Sequence, residues 1–178
     1  MIRKVMPLSG LLAAVLLLAP AAALQAEEPP LVPMRDFFRN PDKAAYRISP
    51  DGTWLSWLAP FENRLNIHVR KLDGEGDVRR VTKETDRDIF SYFWTSDDGL
   101  VYLQDKAGNE NFHLFAVQVD GSGVRALTPF EGTRVSVVDD LEDDPEHMII
   151  SMNRRDERLF DVFRIHLPSG DLELQVEN

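Results

Sequence analysis

The residues of this chain that could do chemistry are nine serines, four histidines and a dense run of carboxylates. A nucleophilic serine of the hydrolase type sits in a Gly-x-Ser-x-Gly elbow, because a sharp strand-to-helix turn exposes Oγ beside an oxyanion hole. None of the nine serines has glycine at both −2 and +2, so no catalytic residue is assigned. The histidines, His68, His113, His147 and His166, show no H-E-x-x-H or comparable ligand spacing, and each is expected to be structural. "DDLEDDPEH" at 139–147 holds six acids. A calcium loop needs oxygen ligands at alternating positions with a glycine at the bend, and this stretch has Pro145 and no glycine. It reads as a solvated loop, and "DKAGNEN" at 105–111 as a hairpin turn around Gly108. No metal site and no cofactor site is therefore assigned.

Two further groups could meet a ligand. Trp54, Trp57, Phe90, Tyr92, Phe93 and Trp94 could line a peptide-binding cavity, but large aromatics chiefly supply buried area and are expected in the core. Arg154, Arg155 and Asp156 could meet a carboxylate or phosphate; a loop ion pair is the expectation. Substrate-binding residues stay unassigned.

The elements that must position these residues repeat. "SPDG" at 49–52 returns as "SDDG" at 96–99, and each precedes an apolar stretch. "LNIHVRKLDG" (65–74) is answered by "NFHLFAVQVDG" (111–121), and "RRVT" (79–82) by "RALT" (125–128). A third, more divergent unit runs through "DDPEHMIISM" (143–152) and "LFDVFRIHLPSG" (159–170) to "DLELQVEN". Strand alternation sets Ile67 and Val69 against His68 and Arg70, and Phe163, Ile165 and Leu167 against Arg164 and His166. Leu114 and Ala116 share one face, with Phe115, Val117 and Val119 on the other, as in a strand buried on both sides. Four short strands in ~47 residues is the period of a β-propeller blade. The expected fold is all-β, an incomplete β-propeller of about three four-stranded blades over 46–88, 89–134 and 135–178. The acidic run 139–147 is separately expected to be a solvated inter-blade loop.

Upstream, Arg3 and Lys4 precede an apolar run from Leu11 to Leu18 and a small-residue stretch ending near Ala26. This is the pattern of a cleavable signal peptide over 1–26, and the run falls short of the ~20 residues a membrane span needs. Export to the periplasm or the extracellular space is expected, followed by a Pro-rich leader over 27–45. The formal net charge is −10, and removal of 1–26 leaves −12. That acidity argues against nucleic acid and anionic membrane as partners. There is no cysteine, hence no disulfide or lipid-modified cysteine anchor.

"LVPMRDFFRNP", "RISPDGTWLSWLAP", "SYFWTSDDGLVYLQDKAGNENFHLFAV", "ALTPFEG" and "NRRDERLFDVFRI" together resemble the N-terminal part of secreted prolyl-oligopeptidase-family serine peptidases, of the dipeptidyl aminopeptidase and acylaminoacyl peptidase types. The resemblance covers essentially all of 31–178. It implies a propeller that caps an α/β-hydrolase domain carrying a Ser-Asp-His set and admits short peptides to it. No α/β-hydrolase pattern follows the blades here, so this chain by itself is expected to be inactive, with peptide substrate as the implied partner of the missing domain. Some relatives read a free amino terminus with propeller glutamates, and no matching acidic pair is carried over. The alternative is a non-enzymatic TolB-type periplasmic propeller that binds protein partners; oligomeric state is left open.

Overall fold

The computed structural model describes residues 31–74 and 76–178. The signal segment expected over 1–26 lies outside the described residues. Residues 31–37 belong to a first compact unit, whose described part holds one 3₁₀ turn, Met34–Phe37, with the Asp36 amide donating to the Pro33 carbonyl at 2.9 Å.

The second unit, Phe38–Asn178, is built from strands. The first sheet orders β1 (Ala44–Ile48), β2 (Trp54–Phe61), β3 (Arg64–Lys71) and β4 (Arg79–Arg80) as an antiparallel meander. The second repeats it with β5 (Ser91–Trp94), β6 (Gly99–Gln104), β7 (His113–Gln118) and β8 (Arg125–Ala126). The third uses β9 (Val135–Asp139), β10 (His147–Asp156), β11 (Leu159–His166) and β12 (Leu172–Val176). These are three four-stranded blades of a β-propeller.

Side-chain alternation makes the blades stack. On β6, Leu100 and Tyr102 join Leu58, Ile67 and Val69 of the first blade in one apolar cluster. Their neighbours Val101 and Leu103 join Met148, Ile150, Met152 and Ile165 of the third blade in another. The middle blade is thus apolar on both faces because both are covered. Each fully buried side chain of this size contributes about 1.5–3 kcal/mol by leaving water. The expected two-sided burial of β7 holds, with Leu114 in the second cluster and Val117 in the first.

The repeated residues make repeated bonds. Thr82 and Thr128 close "RRVT" and "RALT", and their hydroxyls accept the amides of Ile67 at 2.9 Å and Leu114 at 2.8 Å. The amides of Val81 and Leu127 donate back to the Ile67 and Leu114 carbonyls, both at 2.8 Å. Each third strand then ends by donating into the first turn of its own blade, through Leu72 to Thr53, Val119 to Asp98 and Leu167 to Glu146. The last of these appears in the divergent unit, whose sequence hides the repeat that its backbone keeps.

Three details differ from the sequence reading. β1 begins at Ala44, inside the segment expected as leader. The acidic run 139–147 joins β9 to β10 within the third blade rather than linking two blades. Arg154, Arg155 and Asp156 are strand residues, because β10 extends to Asp156.

Candidate functional site

In an antiparallel four-stranded meander, the turns after the first and third strands lie at one end, and those after the second at the other. At the first of these ends all three blades contribute to one cavity of about 530 Å³. The first blade supplies Arg47, Ile48 and Pro50, from the end of β1 and the Ser-Pro-Asp-Gly turn. Trp94, Thr95, Ser96 and Asp97 come from the equivalent place in the second. The third gives Asp140, Leu141, Glu142, Pro145 and His147, from the acidic loop. The turn that recurs along the sequence therefore recurs around this opening.

Buried polar bonds position the wall. Ser49 Oγ donates to Asp51 Oδ1 at 2.6 Å and accepts the Trp54 amide at 2.9 Å, which fixes the first turn. The hydroxyls of Ser49 and Thr53, and the Thr53 amide, hold the Asp51 carboxyl below the usual range. Trp94 Nε1 donates to Ser56 Oγ at 2.9 Å, tying the second blade's wall to the first blade. Tyr92 donates to the Ala45 carbonyl at 2.6 Å, and its oxygen lies 2.9 Å from Ser56 Oγ. Ala45 has φ 51°, a left-handed conformation that costs a non-glycine residue about 1–2 kcal/mol. It sits where the β1–β2 register shifts, so Tyr92 anchors a bulge that aims the end of β1. Burial pushes the Tyr92 hydroxyl up in pKa, against the opposing pull of the Ser56 bond.

Charges of both signs face the cavity. The Arg47 guanidinium lies 4.8 Å from the Phe93 ring centre. Asp144 beside the opening accepts from Arg164 at 2.6 Å and shares a 3.0 Å bond with His147 Nδ1. The bonds to His147 and Arg164 hold its carboxyl low.

Of the residues singled out in the sequence, Trp94 and His147 line the opening, while most of the others serve the frame. His68 Nδ1 bonds the Asn66 carbonyl at 3.0 Å, and His113 Nδ1 the Thr128 carbonyl at 2.7 Å. His166 Nδ1 bonds Ser169 Oγ at 2.7 Å. Burial is the first reason the His68 pKa falls. Among the described residues there is no group of three or more His, Cys, Asp or Glu side chains that could hold a metal ion. Tyr92 is buried, and Trp54 and Trp94 pack half-buried against the first apolar cluster. Trp57 is buried and stacks on His68. Phe90 departs from the core expectation at 66% exposure, covered on one side by Phe112 with ring centres 4.7 Å apart. Arg155 pairs with Asp161, Asp156 with Arg158, and Arg154 lies over the Phe130 ring at 4.1 Å. Arg47 and Leu141 were missed as lining residues; only knowledge of which turns share an end would have found them.

No family model matches the sequence. Dipeptidyl aminopeptidase BIII of Pseudoxanthomonas mexicana is 37% identical over 161 residues, which is 90% of this chain and 23% of that protein. The chain carries a propeller region of the prolyl-oligopeptidase family. Dipeptidyl peptidase family member 6 of Caenorhabditis elegans is 23% identical over 83% of this chain and 21% of its own length. The prolyl-oligopeptidase-type chain described here thus spans less than a quarter of the curated relatives it matches. Among solved structures, Pyrococcus horikoshii acylaminoacyl peptidase aligns with TM-score 0.55 at 16% identity, over 78% of this chain and 25% of that one. An oligogalacturonate lyase in complex with manganese aligns with TM-score 0.57 at 10% identity, over 76% and 42%. At such identities the likeness is one of fold. Among the described residues no helix is long and apolar enough to cross a membrane.

Proposed function

We propose that this chain is the access-controlling propeller segment of an exported serine peptidase that acts on short peptides. The observation that carries the reading is the cavity walled by the equivalent turn of each blade, as expected of an opening at a propeller's axis. The 37% identity to a dipeptidyl aminopeptidase supports peptide as the substrate class. In this reading the propeller supplies specificity by exclusion: a folded or long chain cannot enter, and a short one passes to a serine carried elsewhere in the polypeptide. Trp94, held by Ser56, and Leu141 line the opening. The basic, apolar and small-residue pattern of 1–26 supports export.

The test begins with the native source, where an antibody against 31–178 identifies every polypeptide that carries this chain. The expected product is several-fold heavier than the chain, reacts with a serine-directed fluorophosphonate, and cleaves dipeptide-releasing substrates faster than long peptides. Trp94→Ala with Leu141→Ala then raises the rate on longer peptides selectively. A product that never labels, or that cleaves long and short peptides alike, overturns the reading.

A further inference from the structure

Two histidines of the third blade stand side by side at the rim of the cavity that the three blades share, the mouth. His147 opens β10 and lines the cavity, and His166 ends β11 directly opposite it. One residue outside the pair on each strand, the Leu167 amide donates to the Glu146 carbonyl at 2.8 Å. The histidines therefore form a non-hydrogen-bonded antiparallel pair, the kind whose side chains come closest. Their neighbours Met148 and Ile165 belong to the apolar cluster between the second and third blades, so alternation sends both imidazoles to the blade's other face. There the ring centres lie 5.1 Å apart, with the planes tilted by 48°.

Hydrogen bonding decides which nitrogen of each ring is free. His147 Nδ1 lies 3.0 Å from Asp144 Oδ1, and a carboxylate can only accept, so Nδ1 carries the proton. His166 Nδ1 lies 2.7 Å from Ser169 Oγ, whose own hydrogen goes to Asp171 Oδ2 at 2.6 Å, so here too Nδ1 donates. In the neutral rings the lone pair is left on Nε2 of both. Metal-binding imidazoles are held in this way: the second nitrogen donates to a carboxylate or another acceptor, which fixes the tautomer and the ring's orientation. Arg164 donates to the other Asp144 oxygen at 2.6 Å, so that carboxylate is itself held in place.

The spacing agrees. A divalent metal sits about 2.0–2.1 Å from an imidazole nitrogen, hence roughly 3.2 Å from the ring centre. Two rings sharing a tetrahedral ion then have centres about 5.2 Å apart, and two at right angles on a square-planar ion about 4.5 Å. At 5.1 Å the pair stands near the tetrahedral value.

We infer that His147 and His166 form a two-imidazole site for a divalent transition metal of the Zn²⁺ and Cu²⁺ class at the rim of the mouth. Among the described residues no third His, Cys, Asp or Glu side chain joins them in a metal-holding group, so the remaining positions are open to water or to an entering ligand. Imidazole suits Zn²⁺ and Cu²⁺, whereas Ca²⁺ takes oxygen ligands. The site does not depend on the gating reading.

The test uses the polypeptide that carries this chain, expressed at its native length, stripped by a chelator and titrated calorimetrically with Zn²⁺, Cu²⁺ and Ca²⁺. The wild type is expected to bind one Zn²⁺ whose affinity falls at least tenfold in His147→Gln and in His166→Gln. Cu²⁺ binds this site more tightly than Zn²⁺, and Ca²⁺ does not displace either. In the Cu²⁺ form, electron spin-echo modulation counts two coordinated imidazoles in the wild type and one in each variant. A readout that needs no variant stands beside these: Zn²⁺ protects His147 and His166, but not His68 or His113, from carbethoxylation mapped by mass spectrometry. Equal Zn²⁺ uptake by the wild type and both variants, fewer than two imidazoles on Cu²⁺, or equal modification of the pair with and without Zn²⁺ each overturns the inference. Failure of the gating reading is seen separately, as indifference to peptide length in the fluorophosphonate-reactive polypeptide.

Discussion

One position in the third strand of each blade shows how the same structural job is done by different chemistry. In the first blade it is Asn66, whose Oδ1 accepts the Thr82 hydroxyl at 2.9 Å and the Glu84 amide at 2.8 Å. The second blade has His113, whose Nδ1 bonds the Thr128 carbonyl at 2.7 Å. The third has Asp161, which takes two bonds from Arg155 at 3.0 and 2.9 Å and the Asn178 amide at 2.9 Å. Each catches the chain just after the blade's last strand. The comparison teaches that the repeat preserves a bond between segments, not a residue, and that a carboxylate in this role needs an added cation. That is why the third unit looks divergent in sequence and yet closes in the same way.

The largest expected effect comes from the best-connected member of the set. Asn66→Ala strands the buried Thr82 hydroxyl and the Glu84 amide, and unfolding by denaturant should show a loss of about 3 kcal/mol. His113→Ala removes a single half-buried bond and should cost about 1 kcal/mol in the same assay. Equal losses would break the ranking.

The blades are also compared through the glycine of the turn after the third strand. A Cβ on Gly121, at φ +86°, would stand 2.9 Å from the Val81 carbonyl oxygen of the preceding blade. On Gly170, at φ +81°, it would stand 3.7 Å from the Leu127 oxygen, an ordinary contact. Gly121→Ala should therefore cost about 2 kcal/mol, the left-handed conformation plus a backbone clash, and Gly170→Ala about 1 kcal/mol from conformation alone. Melting temperatures of the two variants check the order. A next effect is that of Tyr92→Phe, which frees the Ala45 bulge and should cost about 1 kcal/mol, with faster amide exchange in β1 and little change in β11.

The smallest effect is local and depends on pH. The Arg155 bond first, and the Asn178 amide second, hold the Asp161 carboxyl below its ordinary value against burial. A depressed folded-state pKa stabilises above the unfolded value and is lost as pH falls through the folded one. The protection of the β12 amides, taken relative to the intrinsic exchange rate at each pH, should therefore stay high above about pH 5 and fall on acidification below about pH 4. β4 and β8, whose blades use an amide and an imidazole at this position, should not share that carboxylate-linked change. Protection in β12 that is flat with pH would remove Asp161 from this role.

Much of the frame was legible because it rests on local chemistry repeated at a fixed period. The Ser-Pro-Asp-Gly turn, the Thr that ends "RRVT" and "RALT", and the alternation in β3, β7 and β11 are each dictated within a few residues. The mouth was less legible. Nothing local in "DDLEDDPEH" distinguishes a loop between blades from one within a blade, and the position of β9 decides it. Phe90 likewise has a core residue's composition and a surface residue's place, since it ends the connection into β5 rather than pointing between sheets.

By itself the sequence determined the strand period, the turns and which faces are apolar, because backbone preference and side-chain alternation act over a handful of residues. Only the tertiary structure decided which turns share an end, and therefore that Arg47, Trp94, Asp97, Asp140 and His147, up to 100 positions apart, line one opening. It also decided which carboxylates are spoken for and which are free, since a partner is a matter of distance through space, which no spacing along the chain records.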